Sequence, residues 1–149
     1  MQVVIQRCGP VVVPLPEYQT PGAAGVDLHL ATQENVVLAM GGGRCRVPTG
    51  LRVAIPPGYE GQVRARSGLA DRLGLGVINS PGTIDSDYRG EIQVTLINLD
   101  PAHPIVLSPL DRIAQLVVCP VVRVEWLEGE LDETLRGAGG YGSTGVSQP

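Results

Sequence analysis

The densest group of chemically able side chains lies between Asn79 and Gly90, in the sequence NSPGTIDSDYRG. Turn-forming pairs stand on both sides of its centre, so the segment predicts a hairpin. The backbone amides of such a hairpin could recognise the edge of a planar ring while a carboxylate of the segment, which contains Asp85 and Asp87, stands at the mouth of the pocket. A plain polar hairpin with solvated acids is the alternative, and Asp87 and Arg89 suit a structural pair at the surface or between subunits.

The segment Arg66–Ala70 (RSGLA) combines a guanidinium group, a hydroxyl group and a glycine at the predicted start of a helix. We expect this single short helix to span Gly68–Leu73, with Ser67 as its cap and Gly74 as its left-handed stop. The free N–H groups and the dipole of a helix start favour anionic oxygens, so the segment is a candidate anion-binding site. An ordinary capped turn would have the same sequence.

Two further segments carry polar groups that need an explanation. Gln115 stands among apolar residues in DRIAQLV, and its amide needs a partner, which could be backbone, a neighbouring subunit or a ligand. Beyond the last predicted strand, the glycine-rich segment RGAGGYGSTG cannot bury enough surface to order itself, so we expect a flexible tail. Its charge, ring and two hydroxyl groups are suited to closing over a nucleotide: Arg136, Tyr141, Ser143 and Thr144.

Short, β-branched segments bounded by Gly, Pro or Asp dominate the rest of the chain and predict strands joined by turns. Between Glu91 and Leu96 polar and apolar residues alternate, which is the period of a strand with one buried face. We expect an all-β fold, a sandwich or jelly roll. The nine predicted strands are Gln2–Gln6, Val26–Leu30, Asn35–Leu38, Leu51–Ile55, Glu60–Arg64, Leu75–Ile78, Glu91–Leu96, Ile113–Val118 and Val121–Trp126.

Length and charge exclude several classes of function. At 149 residues the chain is one domain, and we expect residues 1–135 to form it, followed by the tail of residues 136–149. All eleven basic residues are Arg, so a Walker-type phosphate loop, a Schiff-base enzyme and a lysine-dependent kinase are excluded. The net charge of −4 provides no basic face for a polynucleotide, so no nucleic-acid partner is expected.

Cysteine use and the N-terminal sequence indicate the compartment. Cys8, Cys45 and Cys119 are widely spaced, with no Cys-x-x-Cys pair, and predict buried, reduced thiols rather than a zinc site. The N-terminal residues show no basic segment followed by an apolar stretch, and the run Val11–Leu15 is too short for a membrane span. We therefore expect a cytoplasmic protein with no membrane partner.

Five segments occur in an order and spacing that closely resemble the five motifs of the trimeric deoxyuridine triphosphate nucleotidohydrolases, the dUTPases. The resemblance covers residues 23–145. It implies a jelly-roll-like subunit, a homotrimer, and three active sites at subunit interfaces, each closed by the C-terminal tail of another subunit. The segments are AAGVDL (23–28), RSGLA (66–70), NSPGTIDSDYRG (79–90), DRIAQLV (111–117) and RGAGGYGSTG (136–145).

The resemblance implies that dUTP is hydrolysed to dUMP and pyrophosphate, which removes dUTP from the nucleotide pool and supplies dUMP for thymidylate synthesis. Asp85 matches the family's aspartate that positions and deprotonates the water attacking the α-phosphorus. Mg²⁺ is expected to bridge the three phosphates and to keep several waters, with Asp27 acting on it through water. The positions that match phosphate contacts are Arg66, Ser67, Gly68 and Gln115, with Arg136, Ser143 and Thr144 reaching the γ-phosphate.

By the same resemblance, base and sugar selection fall on the predicted hairpin. Tyr88 would lie under the deoxyribose and exclude a 2′-hydroxyl group, and the tight hairpin would leave no space for a thymine methyl group. Tyr141 would stack on the base, at a position where the family more often has Phe, and Gly142 follows it in the fifth motif. The uracil edge is assigned to Asn79, Gly82, Thr83, Ile84 and the backbone of Asp85, with Gln93 near the base.

Two other functions remain open. A dCTP deaminase resembles the same trimeric fold but needs a catalytic Glu in the hairpin region, where this chain has Asp85, and lacks the Tyr-Gly-Ser-Thr tail. A non-catalytic nucleotide-binding protein, or a structural jelly-roll subunit, would have no reason to keep both Asp85 and an intact tail. We therefore favour the hydrolase.

Overall fold

The computed structural model describes residues 1–140, so the candidate residues Tyr141, Gly142, Ser143 and Thr144 lie outside the described part of the chain. Within that part, the short β-branched runs form eleven strands, with one helix. The elements are β1 (Val4–Arg7), β2 (Val26–His29), β3 (Val36–Leu38), β4 (Arg44–Pro48), β5 (Leu51–Ala54), β6 (Tyr59–Arg64), α1 (Ser67–Leu73), β7 (Leu75–Val77), β8 (Gly82–Ile84), β9 (Gln93–Asn98), β10 (Ile105–Leu107) and β11 (Arg112–Pro120).

The strands pair antiparallel in four groups: β2-β11-β6-β8, β4-β9-β7, β1-β5 and β3-β10. The predicted alternation appears in β9, where Val94 and Leu96 are buried and Gln93 is exposed. The buried faces meet in a core built almost entirely from Val, Leu and Ile. The fold is therefore the expected all-β, jelly-roll-like sandwich.

The prediction of a last strand at Val121–Trp126 is wrong for the single chain. β11 ends at Pro120, and the chain then leaves the sheet. Residues 121–134 form no helix or strand, and Trp126 is 91% exposed. The sequence has strand propensity, but a strand is stabilised by pairing, and no strand of the described chain pairs with it.

Three observed strands, β4, β8 and β10, were not among the nine predicted ones. β8 and β10 are three residues long, which is too short to display a period. The cysteines are a second difference: Cys8, Cys45 and Cys119 are free, as predicted, but half-buried rather than buried. Each of them lies near the end of a strand or just beyond it, where the sandwich covers side chains incompletely.

Helix α1 follows β6 closely. Its N-cap position is Arg66, which is extended and makes no side-chain cap hydrogen bond, so the prediction that Ser67 caps the helix is wrong. Ser67 is already helical. Gly74 ends the helix in the left-handed region at φ 66°, as predicted, and its N–H donates to the Ala70 carbonyl.

Among the described residues, no helix has the length and apolar character needed to cross a membrane.

Strand β6 lies between β11 and β8 and connects the region around Asp85 with the start of α1. Gly61 in this strand allows the sheet to pack closely on the core. A Cβ there would lie 2.7 Å from Ile55 Cδ1 and 3.1 Å from Ile84 Cβ, both closer than ordinary contact. The absence of a side chain at this position is therefore a packing requirement.

We predict that Gly61→Ala lowers the free energy of unfolding by about 1–3 kcal/mol, because the added methyl group overpacks the space between Ile55 and Ile84. Urea unfolding followed by circular dichroism measures the change. Gly22→Ala is the matched control, since a Cβ at Gly22 meets nothing within 4 Å. Equal stability of the two variants would contradict the packing requirement.

Candidate functional site

A cluster of three charged side chains lies where β2, β11 and the start of α1 meet. Oδ1 of Asp27 contacts Arg66 Nε at 2.8 Å, and Oδ2 contacts Arg112 Nη1 at 3.3 Å. The strand register explains the meeting, because Asp27 pairs with Gln115, which in turn pairs with Arg64 at the end of β6. The Asp27 side chain is only 15% exposed. Because each of its oxygens contacts a guanidinium group, the negative charge of this partly buried carboxylate is compensated.

The cluster keeps an excess of positive charge at its surface. Two guanidinium groups face one carboxylate, and the side chain of Arg112 is 51% exposed. Arg66 Nη1 also donates to the Arg112 carbonyl at 3.3 Å, which helps to orient its guanidinium group. Planar guanidinium groups held in this way are suited to bind phosphate oxygens through two parallel hydrogen bonds.

His29 completes this end of β2. Burial lowers the pKa of His29 below its usual 6.5; the carboxylate of Asp27 opposes this, and the charges of Arg112 and Arg66 lower it further. Its Nδ1 is buried and has no hydrogen-bond partner among the described residues. His29 is therefore neutral at neutral pH, and it lines a cavity of about 280 Å³ beside the charged cluster.

Gln115, which was predicted to need a partner, finds one in the backbone. Its Nε2 donates to the Ala65 carbonyl at 3.1 Å, next to the start of α1. Gly25 leaves room for the Gln115 Oε1 atom. A Cβ at Gly25 would lie only 2.9 Å from that oxygen. The amide is thus oriented at the same end of β6 as the charged cluster.

Ser67 and Gly68 present backbone N–H groups beside the cluster. The first helical hydrogen bonds are donated by Leu69 and Ala70, both to the Arg66 carbonyl. The two earlier N–H groups therefore have no partner inside the helix and are available to an anion. The predicted anion-binding segment lies against the charged cluster.

The segment Asn79–Gly90, named here the β8 segment, is not the predicted hairpin. Its strand, β8, pairs with β6 rather than with a neighbouring strand of its own. Turn signals are local in sequence, but the partner of a strand is not, and this explains the error. Gly82 is buried, and Asn79 folds over it, with its Nδ2 3.2 Å from where a Gly82 Cβ would lie. The Asn79 amide and the β8 backbone are thus brought together.

Asp85 follows β8 and is exposed, as is Thr83, whereas Ile84 between them is buried. The Asp85 carboxylate makes no ion pair within residues 1–140. It lines a polar cavity of about 300 Å³ together with Glu60 and with Arg123 from the segment after β11. An unpaired, solvent-facing carboxylate of this kind is available to accept a proton from water.

Arg89 and Asp87 do not form the predicted pair within the described chain. Arg89 Nη1 instead donates to the carbonyls of Ser86 and Tyr88, at 2.7 and 2.8 Å. The turn after β8 directs these carbonyls toward the same guanidinium group, which therefore stabilises the turn. Arg89 thus has a structural contact within its own turn, and its partner there is the backbone. A pair with Asp87 between subunits stays a prediction.

The remaining described candidates make no hydrogen bond or ion pair with the charged cluster. Tyr88 Oη donates to the Glu91 carbonyl at 3.0 Å, and Gln93 is exposed at the start of β9, opposite Pro48. Arg136 Nε donates to the Gly139 carbonyl at 2.9 Å, which is a contact within its own turn.

One chain does not bring all of these residues together. Asp85 lies beside Glu60, near the start of β6. Gln115 pairs with Arg64 at the other end of that strand, and Arg66 follows two residues later. Six residues of extended chain, from 60 to 66, span about 20 Å. The candidate base, Asp85, and the charged cluster therefore belong to two separate regions of the chain.

Arg112 is the candidate that sequence analysis missed. It lies in the segment DRIAQLV, but only Gln115 in that segment was singled out. The available signal was Asp27, because a carboxylate in a half-buried strand needs a cationic partner. Identifying that partner requires the register of β2 on β11, which shifts at an irregularity between Arg112 and Ala114.

The chain is similar to known proteins along most of its length. A sequence model of the dUTPase family matches residues 12–145. Deoxyuridine 5′-triphosphate nucleotidohydrolase of Anaplasma marginale is 53% identical over 135 residues, covering 90% of each chain. The protein of the same name from Cutibacterium acnes is 56% identical over 140 residues, covering 92% of this chain and 90% of the relative.

The fold is similar to a solved structure as well. The structure of the Staphylococcus bacteriophage 80alpha dUTPase with dUpNHpp has a TM-score of 0.85 and 25% sequence identity. The match covers 97% of this chain and 99% of that one. Because the family model spans all but the ends of the sequence and the relatives exceed half identity, the chain belongs to the dUTPase family.

Proposed function

We propose that this protein is a dUTP diphosphatase, which hydrolyses dUTP to dUMP and pyrophosphate. The observation that carries the proposal is the cluster of Asp27 with Arg66 and Arg112, which offers guanidinium groups to a polyphosphate in a chain of this family. The reaction removes dUTP from the nucleotide pool of the cytoplasm and supplies dUMP for thymidylate synthesis. With a net charge of −4, the protein is not proposed to bind nucleic acid.

The triphosphate binds, in this proposal, at the start of α1. Arg66 supplies a charged fork, Ser67 a hydroxyl group and Gly68 a backbone N–H, and Gln115 adds its amide from β11. Donors of these types, at a helix start, suit a polyphosphate better than a single carboxylate ligand, because several anionic oxygens must be bound at once. Arg112 orients Arg66 through its carbonyl and shares the charge of Asp27.

Asp85 is the proposed general base. It orients a water molecule and takes a proton from it as the water oxygen bonds to the α-phosphorus, and pyrophosphate leaves with the bridging oxygen. General-base assistance contributes typically about 10²–10⁴ in rate. Positioning of the phosphates and compensation of their charge supply the remainder.

Selection of the base and sugar is assigned to the β8 segment and to the start of β9. The Asn79 amide already lies over the β8 backbone, where the edge of a uracil ring could bond to both. Tyr88 is proposed to lie against the deoxyribose and to exclude a 2′-hydroxyl group by contact. The residues assigned to the base are Asn79, Gly82, Thr83, Ile84, the backbone of Asp85, and Gln93.

Mg²⁺ fits this chain as an ion carried by the substrate. Among residues 1–140, no three His, Cys, Asp or Glu side chains are grouped to hold a metal. Both oxygens of Asp27 contact guanidinium groups, so direct ligation would have to displace Arg66 or Arg112. Mg²⁺ keeps waters and prefers oxygen ligands, and Asp27 is therefore proposed to reach it through water. When bound, the ion would compensate phosphate charge.

A second copy of the chain completes the site in this proposal, as part of a homotrimer. Two observations support it: the base lies about 20 Å along β6 from the guanidinium cluster, and the segment after β11 exposes apolar side chains. Val122, Val124 and Trp126 are all exposed in the single chain. Apolar groups exposed in a row are normally covered at an interface.

The tail of residues 136–149, which follows a domain of residues 1–135, is proposed to close over the site of another subunit. Arg136 would contact the γ-phosphate once it leaves its own turn. The remaining tail residues proposed to contact the nucleotide lie outside the described residues: Tyr141, Gly142, Ser143 and Thr144.

We predict that the protein releases pyrophosphate from dUTP at least about 100-fold faster than from dTTP, UTP or dCTP, because each competitor clashes with or fails to pair with the β8 segment. A pyrophosphate assay at equal nucleotide concentrations measures the four rates. Ammonia release from dCTP would contradict the proposed reaction, since it would indicate a deaminase.

We predict that Asp85→Asn lowers kcat for dUTP by about 10²–10⁴ while the dissociation constant for dUTP changes little, because the amide cannot accept the proton. Pyrophosphate release and isothermal titration with dUTP give the two quantities. Asp87→Asn, an exposed Asp in the same turn, is the matched control and should remain active. Turnover retained in Asp85→Asn would remove this residue from the role of base.

We predict that a chain ending at Leu135 loses most of its hydrolytic activity but still assembles, because the tail acts after assembly. Sedimentation analysis beside the rate assay separates the two effects. Full activity without the tail, or monomeric material, would count against the proposed closure.

A further inference from the structure

We propose that Gly90 is a positioning residue for sugar selection, because it leaves the space in which the Tyr88 ring is held. The inference rests on the proposed function of Tyr88 as the group that excludes a ribose. Gly90 explains how the half-exposed Tyr88 ring can be held in one position and so exclude the 2′-hydroxyl group. The ring of Tyr88 is 43% exposed, and an exposed side chain is ordinarily free to change rotamer.

The space beside Gly90 is occupied by the tyrosine ring. A Cβ at Gly90 would lie 2.5 Å from Tyr88 Cζ and 2.9 Å from Cε2, and closer still to Oη. Any side chain at position 90 would therefore force the ring out of its position. Gly90 does not belong to the glycines with positive φ, so the requirement for glycine here is spatial and not conformational.

The hydroxyl group of Tyr88 is anchored to a part of the chain fixed to the core. Tyr88 Oη donates to the Glu91 carbonyl at 3.0 Å, and the Glu91 side chain accepts the Gly50 N–H at 2.8 Å. The next carbonyl, that of Ile92, accepts the hydroxyl of the fully buried Thr49 at 2.6 Å. Two hydrogen bonds from the β4–β5 turn thus fix the backbone around the carbonyl that accepts the Tyr88 hydroxyl.

The backbone of Tyr88 is fixed in the same turn as the proposed base. The Tyr88 N–H donates to the Asp85 carbonyl at 3.1 Å, and Arg89 Nη1 donates to the carbonyls of Ser86 and Tyr88. With backbone and hydroxyl both held, the ring has one position, and that position exists because residue 90 is glycine. A side chain that excludes a single hydroxyl group by contact must be held in place, since a mobile ring would move aside for the 2′-hydroxyl group of a ribose.

The test compares kcat/KM for dUTP, UTP and dTTP in the full chain and in Gly90→Ala. We expect the preference for dUTP over UTP to fall by at least about tenfold, because the displaced ring no longer blocks the 2′-hydroxyl. The preference for dUTP over dTTP should stay within about twofold of the original, because the β8 backbone that rejects the methyl group is untouched. Gly22→Ala, with open space around the added methyl, should leave both preferences unchanged.

Tyr88→Phe provides a second measurement that does not depend on overpacking. It keeps the ring and removes the hydrogen bond to Glu91, so we expect a smaller fall in the dUTP-over-UTP preference, of about two- to tenfold. If Gly90→Ala does not fold, this variant decides: an unchanged preference would overturn the anchoring of the ring.

Two results with a folded Gly90→Ala variant would overturn the inference. One is an unchanged preference for dUTP over UTP. The other is a parallel fall in both preferences, which indicates a general distortion of the β8 segment. A full chain that does not hydrolyse dUTP, or does not prefer it to UTP, would overturn the proposed function and the inference with it.

Discussion

The length of strand β6 is the constraint on which the site depends. Its antiparallel register with β8 places Asp85 beside one end, and its register with β11 places Gln115 and the arginine cluster at the other. About 20 Å of extended backbone separates the Asp85 carboxylate, the proposed general base, from the groups proposed to hold the phosphates. A single chain therefore does not bring the two groups together, which supports the proposal that the site is completed by a second copy. The apolar side chains exposed after β11 are a candidate surface for that association.

The charged cluster explains why the chain can hold Asp27 at low exposure in a sheet. A half-buried carboxylate is costly unless it is paired, and here each oxygen has its own guanidinium partner. Because both guanidinium groups contact the same carboxylate, removing either arginine side chain would leave one Asp27 oxygen without its partner. Arginine is better suited than lysine to contact Asp27 and the proposed phosphate at the same time. Its planar guanidinium group can contact a carboxylate along one edge and still has further N–H donors for phosphate. The absence of lysine from the chain thus fits the proposed binding of phosphate by oriented guanidinium groups.

Several local signals in the sequence predicted local features, although the predicted cap at Ser67 is wrong because Arg66 occupies the N-cap position. The alternation in β9, the left-handed stop at Gly74 and the need of Gln115 for a partner all follow from neighbouring residues, and the structure contains them. Features that depend on distant partners were missed or misassigned. Arg112 required the β2–β11 register, the β8 segment pairs with β6 instead of forming a hairpin, and residues 121–126 have strand propensity but no partner in the described chain. Gly90 shows the same limit, since the lack of space for a side chain there becomes visible only once the Tyr88 ring is placed.

Each active site is proposed to need residues from different chains, and mixing two variants that are each expected to be inactive tests this most directly. Asp85→Asn and Arg66→Ala are refolded together in equal amounts and assayed for pyrophosphate release from dUTP. If the base and the guanidinium cluster come from different subunits, about a quarter of the sites in randomly mixed trimers combine both intact residues, and activity returns to about a quarter of the original value. Activity no greater than the sum of the two separate variants would contradict the claim, because it would mean that each chain supplies its own base and its own phosphate site.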